Sequence, residues 1–130
     1  MNIPEYLNYT KDHEWAGMED GSVRVGITDY AQNELGDIVF VDFKPAGTEV
    51  AKGDAVCTVE SVKAVSDVYA PVSGTITEIN ARLEQTPELV NQDCYGQGWM
   101  VIIRLEKEGV PGTLMDASAY REYLSAEVRK

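Results

Sequence analysis

The sequence predicts a mostly-β fold, a small sandwich or barrel with short helices, and three observations carry that prediction. Apolar and polar residues alternate in short runs rich in Val, Ile and Phe. Gly, Pro, Asn and Asp interrupt those runs at close intervals, and a helical spacing replaces the alternation only near the C-terminus. At 130 residues the chain is long enough for one core and short for two, so residues 1–130 are read as one domain. The β core is expected at about residues 20–105 and a C-terminal helix at about 116–128.

The first runs, Ser22-Val23-Arg24-Val25-Gly26-Ile27 and Asp37 to Phe43, read as half-buried strands. Between them Thr28 is placed to cap a helix of about two turns reaching Leu35, with Asp29 at its positive end and Gly36 at the C′ position. Turns at Pro45-Ala46-Gly47, Lys52-Gly53-Asp54, Pro71 to Gly74 and Asn80 then separate strands at Val50, Ala55 to Val59, Val65 to Tyr69 and Gly74 to Ile79. A last strand is expected near Trp99 to Leu105. Beyond Pro111-Gly112, Asp116 is placed as a cap, and Ala117, Tyr120, Leu124 and Val128 recur at helical steps, which assigns Tyr120 and Tyr123 to packing on the sheet.

Composition narrows the chemistry. No stretch approaches the roughly 20 apolar residues of a membrane helix, and the N-terminus shows no basic region followed by an apolar run, so the expected compartment is the cytoplasm. A net charge of −11 repels nucleic acid and anionic lipid. The acidity fits plain solubility or docking on basic partner surfaces, and it does not separate the two. Two cysteines, Cys57 and Cys94, and one histidine, His13, leave no disulfide framework, no metal cluster and at most one imidazole for a nucleophile–base pair.

The stretch Glu60-Ser61-Val62-Lys63-Ala64 lies between two β-type runs, which puts Lys63 at or beside a hairpin tip, where a modifying enzyme reaches an ε-amine and small neighbours such as Ser61 and Ala64 leave room. Val59 to Ala64, followed by Ser66 to Gly74, closely resembles the lipoyl-attachment region of glycine-cleavage H proteins. The resemblance continues through His13-Glu14-Trp15, Val25 to Asp29, Ala31-Gln32, Leu35-Gly36-Asp37, Val39 to Asp42, Pro87 to Asn91 and Gly98-Trp99, nearly the whole chain.

That resemblance implies a barrel-sandwich hybrid of the lipoyl-domain type, with lipoic acid joined covalently to Lys63 and with Glu60, Ser61, Val62 and Ala64 as the recognition motif. It implies a non-catalytic carrier, modified by a lipoate ligase or lipoyl transferase; a monomer is the default expectation. Its swinging arm takes an aminomethyl group from glycine decarboxylase to an aminomethyltransferase and is reoxidised by dihydrolipoyl dehydrogenase. It also implies an arm-sheltering cleft with acids at Glu14 and Asp67, set against a plainer reading of Glu14 in a helical turn and Asp67 as a solvated strand residue.

Cys94 and Cys57 depart from the family pattern, and residues 105–114 lack its acidic spacer. Those departures keep open an H-like lipoate-binding protein of sulfur oxidation, serving a heterodisulfide-reductase-like complex with a thiol role at Cys94 or Cys57. The plainer reading makes Cys57 a small buried hydrophobe and Cys94 a tolerated loop substitution. A lipoyl relay protein and a binding module with an unmodified lysine are the remaining alternatives.

Overall fold

The computed structural model describes residues 1–106 and 114–128, and the side chain of Val128 is not among the described ones. Among the described residues nine strands form two antiparallel sheets. The elements are β1 (Asn8–Tyr9), β2 (Glu14–Glu19), β3 (Ser22–Ile27), α1 (Asp29–Leu35), β4 (Ile38–Phe43), β5 (Glu49–Val50), β6 (Ala55–Ser61), β7 (Val65–Tyr69) and β8 (Gly74–Ile79). They continue with α2 (Arg82–Gln85), α3 (Leu89–Gln92), β9 (Val101–Leu105) and α4 (Ala117–Val128). One sheet runs in the order β1-β2-β3-β9-β8-β5, and the other is β4-β6-β7.

The alternation read from sequence gives the register. Val23, Val25 and Ile27 point inward from β3, and Val56, Val59 and Val68 from β6 and β7, so the inner faces of the two sheets bury one core together with Ile76, Val101 and Ile103. The Cys57 thiol donates to the Met100 sulfur across 3.7 Å, joining β6 to the segment that enters β9. In β4 the alternation breaks: the pairing shifts between Ile38 and Phe40, so Val39 and Phe40 are both exposed while Ile38 and Val41 are buried.

A second cluster, Leu7, Tyr9, Trp15, Ala117, Tyr120 and Leu124, docks α4 on β1 and β2. Asp116 caps α4 by accepting from the Ala119 amide at 2.8 Å. Tyr120 stacks on Tyr9 with ring centroids 4.6 Å apart. Its hydroxyl shares hydrogen bonds of 2.8 Å with both His13 Nδ1 and Thr28 Oγ1, so one phenol ties the helix to the loop before β2 and to the cap of α1. Thr28 caps α1 through the Ala31 amide, and Gly36 ends it at φ 81°.

Three expectations need correcting. Strands begin at Asn8, well before the expected start at about residue 20, because β1 has two residues and β2 (EWAGME) lacks the β-branched alternation that marks a strand. Glu14 opens β2 and sits in no helical turn. The last strand starts at Val101, with Trp99 and Met100 leading into it. The Gly109 to Gly112 segment and the Val128 step of the α4 repeat lie outside what is described. Among the described residues no helix is long and apolar enough to cross a membrane.

Replacing Tyr120 with Phe keeps the stack and removes the shared hydroxyl, leaving His13 and Thr28 each short of a partner. Urea unfolding should show a loss of about 1–3 kcal/mol, with an unchanged dependence on denaturant.

Candidate functional site

The β6–β7 hairpin is closed by one side chain. The Ser61 hydroxyl accepts from the amides of Lys63 (3.2 Å) and Ala64 (3.0 Å) and donates to the Ala64 carbonyl. The Ser61 amide also donates to that carbonyl, at 2.8 Å. Ser61 is therefore buried and serves as the turn's internal brace, a different role from the roomy neighbour expected of it, whereas Val62, Lys63 and Ala64 are exposed. Lys63 stands at the apex, and its amine makes no hydrogen bond or ion pair among the described residues.

A second line of bonds anchors the turn to the rest of the protein. The Val62 amide donates to the Asp37 carbonyl at 3.0 Å. The residues on either side of Asp37 are both held by Asn91: its side-chain oxygen accepts from the Ile38 amide at 2.9 Å, and its nitrogen donates to the Gly36 carbonyl at 2.9 Å and to Gln32 Oε1 at 3.0 Å. A side chain at Gly36 would meet the Lys63 stem at 3.6 Å, so the end of α1 forms a floor beside the lysine. Sequence reasoning matched the Pro87 to Asn91 string without assigning it this task, because Asn91 lies 53 residues from Ile38 and the pairing exists only in the fold.

The acids expected near the arm fall in different environments. Glu60 and Asp67 are exposed on β6 and β7, and Asp67 accepts from the Thr58 hydroxyl at 2.9 Å. Glu14 is only 2% exposed. It accepts from the Thr10 hydroxyl and, at 3.1 Å, from the amide of Tyr69, two residues along β7 from Asp67. Burial outweighs those hydrogen bonds and pushes the Glu14 carboxyl up to about 7.

Neither cysteine presents a reactive thiol. Cys57 is buried between the sheets, and desolvation, with the negative charge of Glu14, Asp67 and Asp42, pushes its thiol well above the usual range. Cys94 is 7% exposed in the loop after α3, where burial pushes the thiol up to about 12, and its carbonyl accepts from Trp15 Nε1 at 2.9 Å. Cys94 is thus part of the packing, not a bystander in an open loop. Among the described residues no group of three or more His, Cys, Asp or Glu could hold a metal ion.

A two-sheet fold in which one β6–β7 turn is braced by Ser61 and by the α1–β4 junction, with no partner for its lysine amine among the described residues, has the architecture of a lipoyl-domain-like carrier. A model described as "Glycine cleavage H-protein" matches residues 7–127. The chain is 54% identical over 127 residues to the glycine cleavage system H protein of Thermus thermophilus, covering 98% of this chain and 99% of that one. It is 56% identical over 126 residues to a probable glycine cleavage system H protein of Pyrococcus horikoshii, covering 94% and 92%. The crystal structure of a glycine cleavage system H protein from Mycobacterium marinum superposes with a TM-score of 0.84 at 40% identity, over 96% of this chain and 98% of that one. The chain belongs to the glycine cleavage H-protein family, whose members carry a lipoyl group.

Two outcomes follow from this geometry. The unfolded chain releases the Glu14 proton near the ordinary glutamate value of 4.5, and the folded one holds it to about 7. The stability tied to that proton is full below the lower value and is lost as pH rises through the upper one. Glu14→Gln should therefore gain on the wild type between pH 5 and pH 8, by about 3 kcal/mol at most, in unfolding measured across that range. Asn91→Leu should cost about 1–3 kcal/mol and speed hydrogen exchange at the Val62 amide more than at amides in mid-β3.

Proposed function

We propose that this chain is the lipoyl-bearing carrier of glycine cleavage, with Lys63 as the attachment residue. The observation that supports it best is the Lys63 turn: a backbone held from inside by Ser61 and from outside through Asp37 and Asn91, under an exposed amine with no partner among the described residues. Such a lysine suits amide formation, since no ion pair has to be broken to free the nitrogen.

The lipoyl group, once attached, supplies the dithiol–disulfide and aminomethyl-transfer chemistry. The chain's own residues do the positioning. Ser61 keeps the attachment point fixed on the three-stranded sheet, and the Lys63 methylenes begin the flexible arm, so partner sites meet the carried group at a high effective concentration. Glu60, Val62 and Ala64 flank the amine and are offered to the lipoate ligase or lipoyl transferase. Asp67, open to solvent, and Glu14, behind the Tyr69 amide, supply acid on the side of the sheltered arm: Asp67 as a charge, and Glu14 as a group whose protonation changes near neutral pH.

The partners in this reading are glycine decarboxylase, aminomethyltransferase and dihydrolipoyl dehydrogenase, with the chain acting as their shared cosubstrate. Incubated with a lipoate ligase, lipoic acid and ATP, the wild type should gain the mass of one lipoyl group, mapped by peptide to Lys63, and Lys63→Arg should gain none. The modified protein should then support glycine-dependent bicarbonate exchange by glycine decarboxylase. A wild type that stays unmodified, or a modified one that supports no exchange, would overturn the proposal.

A further inference from the structure

In the turn between β1 and β2 a histidine occupies a backbone position that favours glycine or asparagine. The Thr10 amide donates to the Glu14 carbonyl, the His13 amide donates to the Thr10 carbonyl, and His13 takes φ 68°. A hairpin loop of this kind, a tight turn followed by one left-handed residue, ordinarily places Gly or Asn there. Keeping a longer side chain at such a place points to work done by the ring. His13 Nδ1 lies 2.8 Å from the Tyr120 hydroxyl, Nε2 lies 3.4 Å from Glu127, and the Tyr30 ring stands 4.7 Å away between centroids.

These partners decide where the hydrogens sit. Nε2 carries one, because a bare lone pair would face the Glu127 carboxylate, and Nδ1 of the neutral ring is then an acceptor. Tyr120 donates to Nδ1, and the Thr28 hydroxyl donates to Tyr120 at 2.8 Å while accepting from the Ala31 amide at 3.3 Å. The chain from Thr28 through Tyr120 to His13 thus runs one way, with every hydrogen placed. A proton added at Nδ1 turns it round. Nδ1 then donates to Tyr120, Tyr120 donates to Thr28, and the hydroxyl hydrogen of Thr28, a fully buried residue, is left with no acceptor among the described residues. An unsatisfied buried donor is costly.

The groups facing the ring come from three elements: Asp12 from its own turn, Tyr30 and Glu34 from α1, and Tyr120, Tyr123 and Glu127 from α4. The three acids favour the proton, but burial outweighs them and holds the imidazole below its ordinary value.

We propose that the Thr28–Tyr120–His13 chain is a pH-sensitive latch, which holds α4 and the cap of α1 in place while His13 is neutral and lets α4 open when His13 is protonated. The inference goes beyond the carrier reading and stands without it. Opening relieves the fault, because Tyr120 leaves with the helix and water reaches both Thr28 and His13. The ties of α4 to the N-terminal segment and to the β1–β2 turn, from Arg121 to Glu5 and the Ile3 carbonyl and from Tyr123 to the Lys11 carbonyl, are exposed and restrain it little.

The test uses the full chain. Nitrogen NMR at pH 7.5 should show His13 as the Nε2–H tautomer. Hydrogen-exchange protection of the Tyr120 and Leu124 amides, corrected for the intrinsic rate at each pH, is then compared at pH 7.5 and 5.5. It should fall about three- to tenfold more in the wild type than in His13→Asn, since one proton changes such an equilibrium by at most about tenfold per pH unit. Asparagine tolerates the left-handed turn and does not titrate in this range, and the comparison cancels the Glu14 proton, which both chains share. His13→Gly should behave as His13→Asn does. In every chain the α4 amides should be less protected than those in mid-β3, as a helix that opens on its own requires. The same pH response in wild type and His13→Asn would overturn the latch, and so would an Nδ1–H tautomer at pH 7.5. Equal protection in α4 and mid-β3 would overturn it too, by making the response one of the whole fold.

Discussion

A tether works only if one end stands still, and at the proposed attachment point that requirement falls on the Ser61 hydroxyl. It accepts from two successive amides of the turn and donates to the carbonyl that closes it, so Lys63 leaves the sheet from a backbone already ordered. Had the turn been loose, each encounter with a partner would bear the cost of ordering several residues, at about 1–2 kcal/mol apiece. The stiffness propagates in two directions. The β6–β7 ladder carries it into the three-stranded sheet, and the Val62–Asp37 bond carries it to the α1–β4 junction that Asn91 braces.

The rest of the fold supports that arrangement from beneath. The inner faces of the two sheets bury a continuous aliphatic core, and the aromatic cluster under α4 locks β1 and β2 to the larger sheet. Glu14 lies where β2 approaches β7, with hydrogen bonds to Thr10 on one side and Tyr69 on the other. A carboxyl that is 2% exposed and pushed up to about 7 by burial is an unusual choice for a structural position. Its placement two residues along β7 from Asp67 makes it part of the hairpin's electrostatics as well as of the core.

Much of this was legible in the sequence, for identifiable reasons. The strands with β-branched alternation, β3 and β6 to β8, the Thr28 cap, the Gly36 terminus and the Asp116 cap are all local signals, and the chain obeys them. The lysine was legible because its neighbours form a recognisable string. What escaped was either too short or too distant. Two residues make β1, and Ala16 and Gly17 blur β2. The shift in β4 that turns both Val39 and Phe40 outward breaks the period-two pattern, which predicts one of them inside. Asn91 and Ser61 stand in recognisable strings, but their work is done through hydrogen bonds made mostly to backbone groups, which no residue pattern records.

The burial of the two cysteines has a consequence for a protein whose family transports a strained disulfide ring. Exchange between a thiol and such a ring requires the thiolate and an open line of approach. Cys57 faces the Met100 sulfur between the sheets, and Cys94 is walled in beside Trp15, each far from ionising at neutral pH. In the proposed carrier neither cysteine is therefore placed to capture the carried ring, which would stay chemically available to the enzymes proposed to open it.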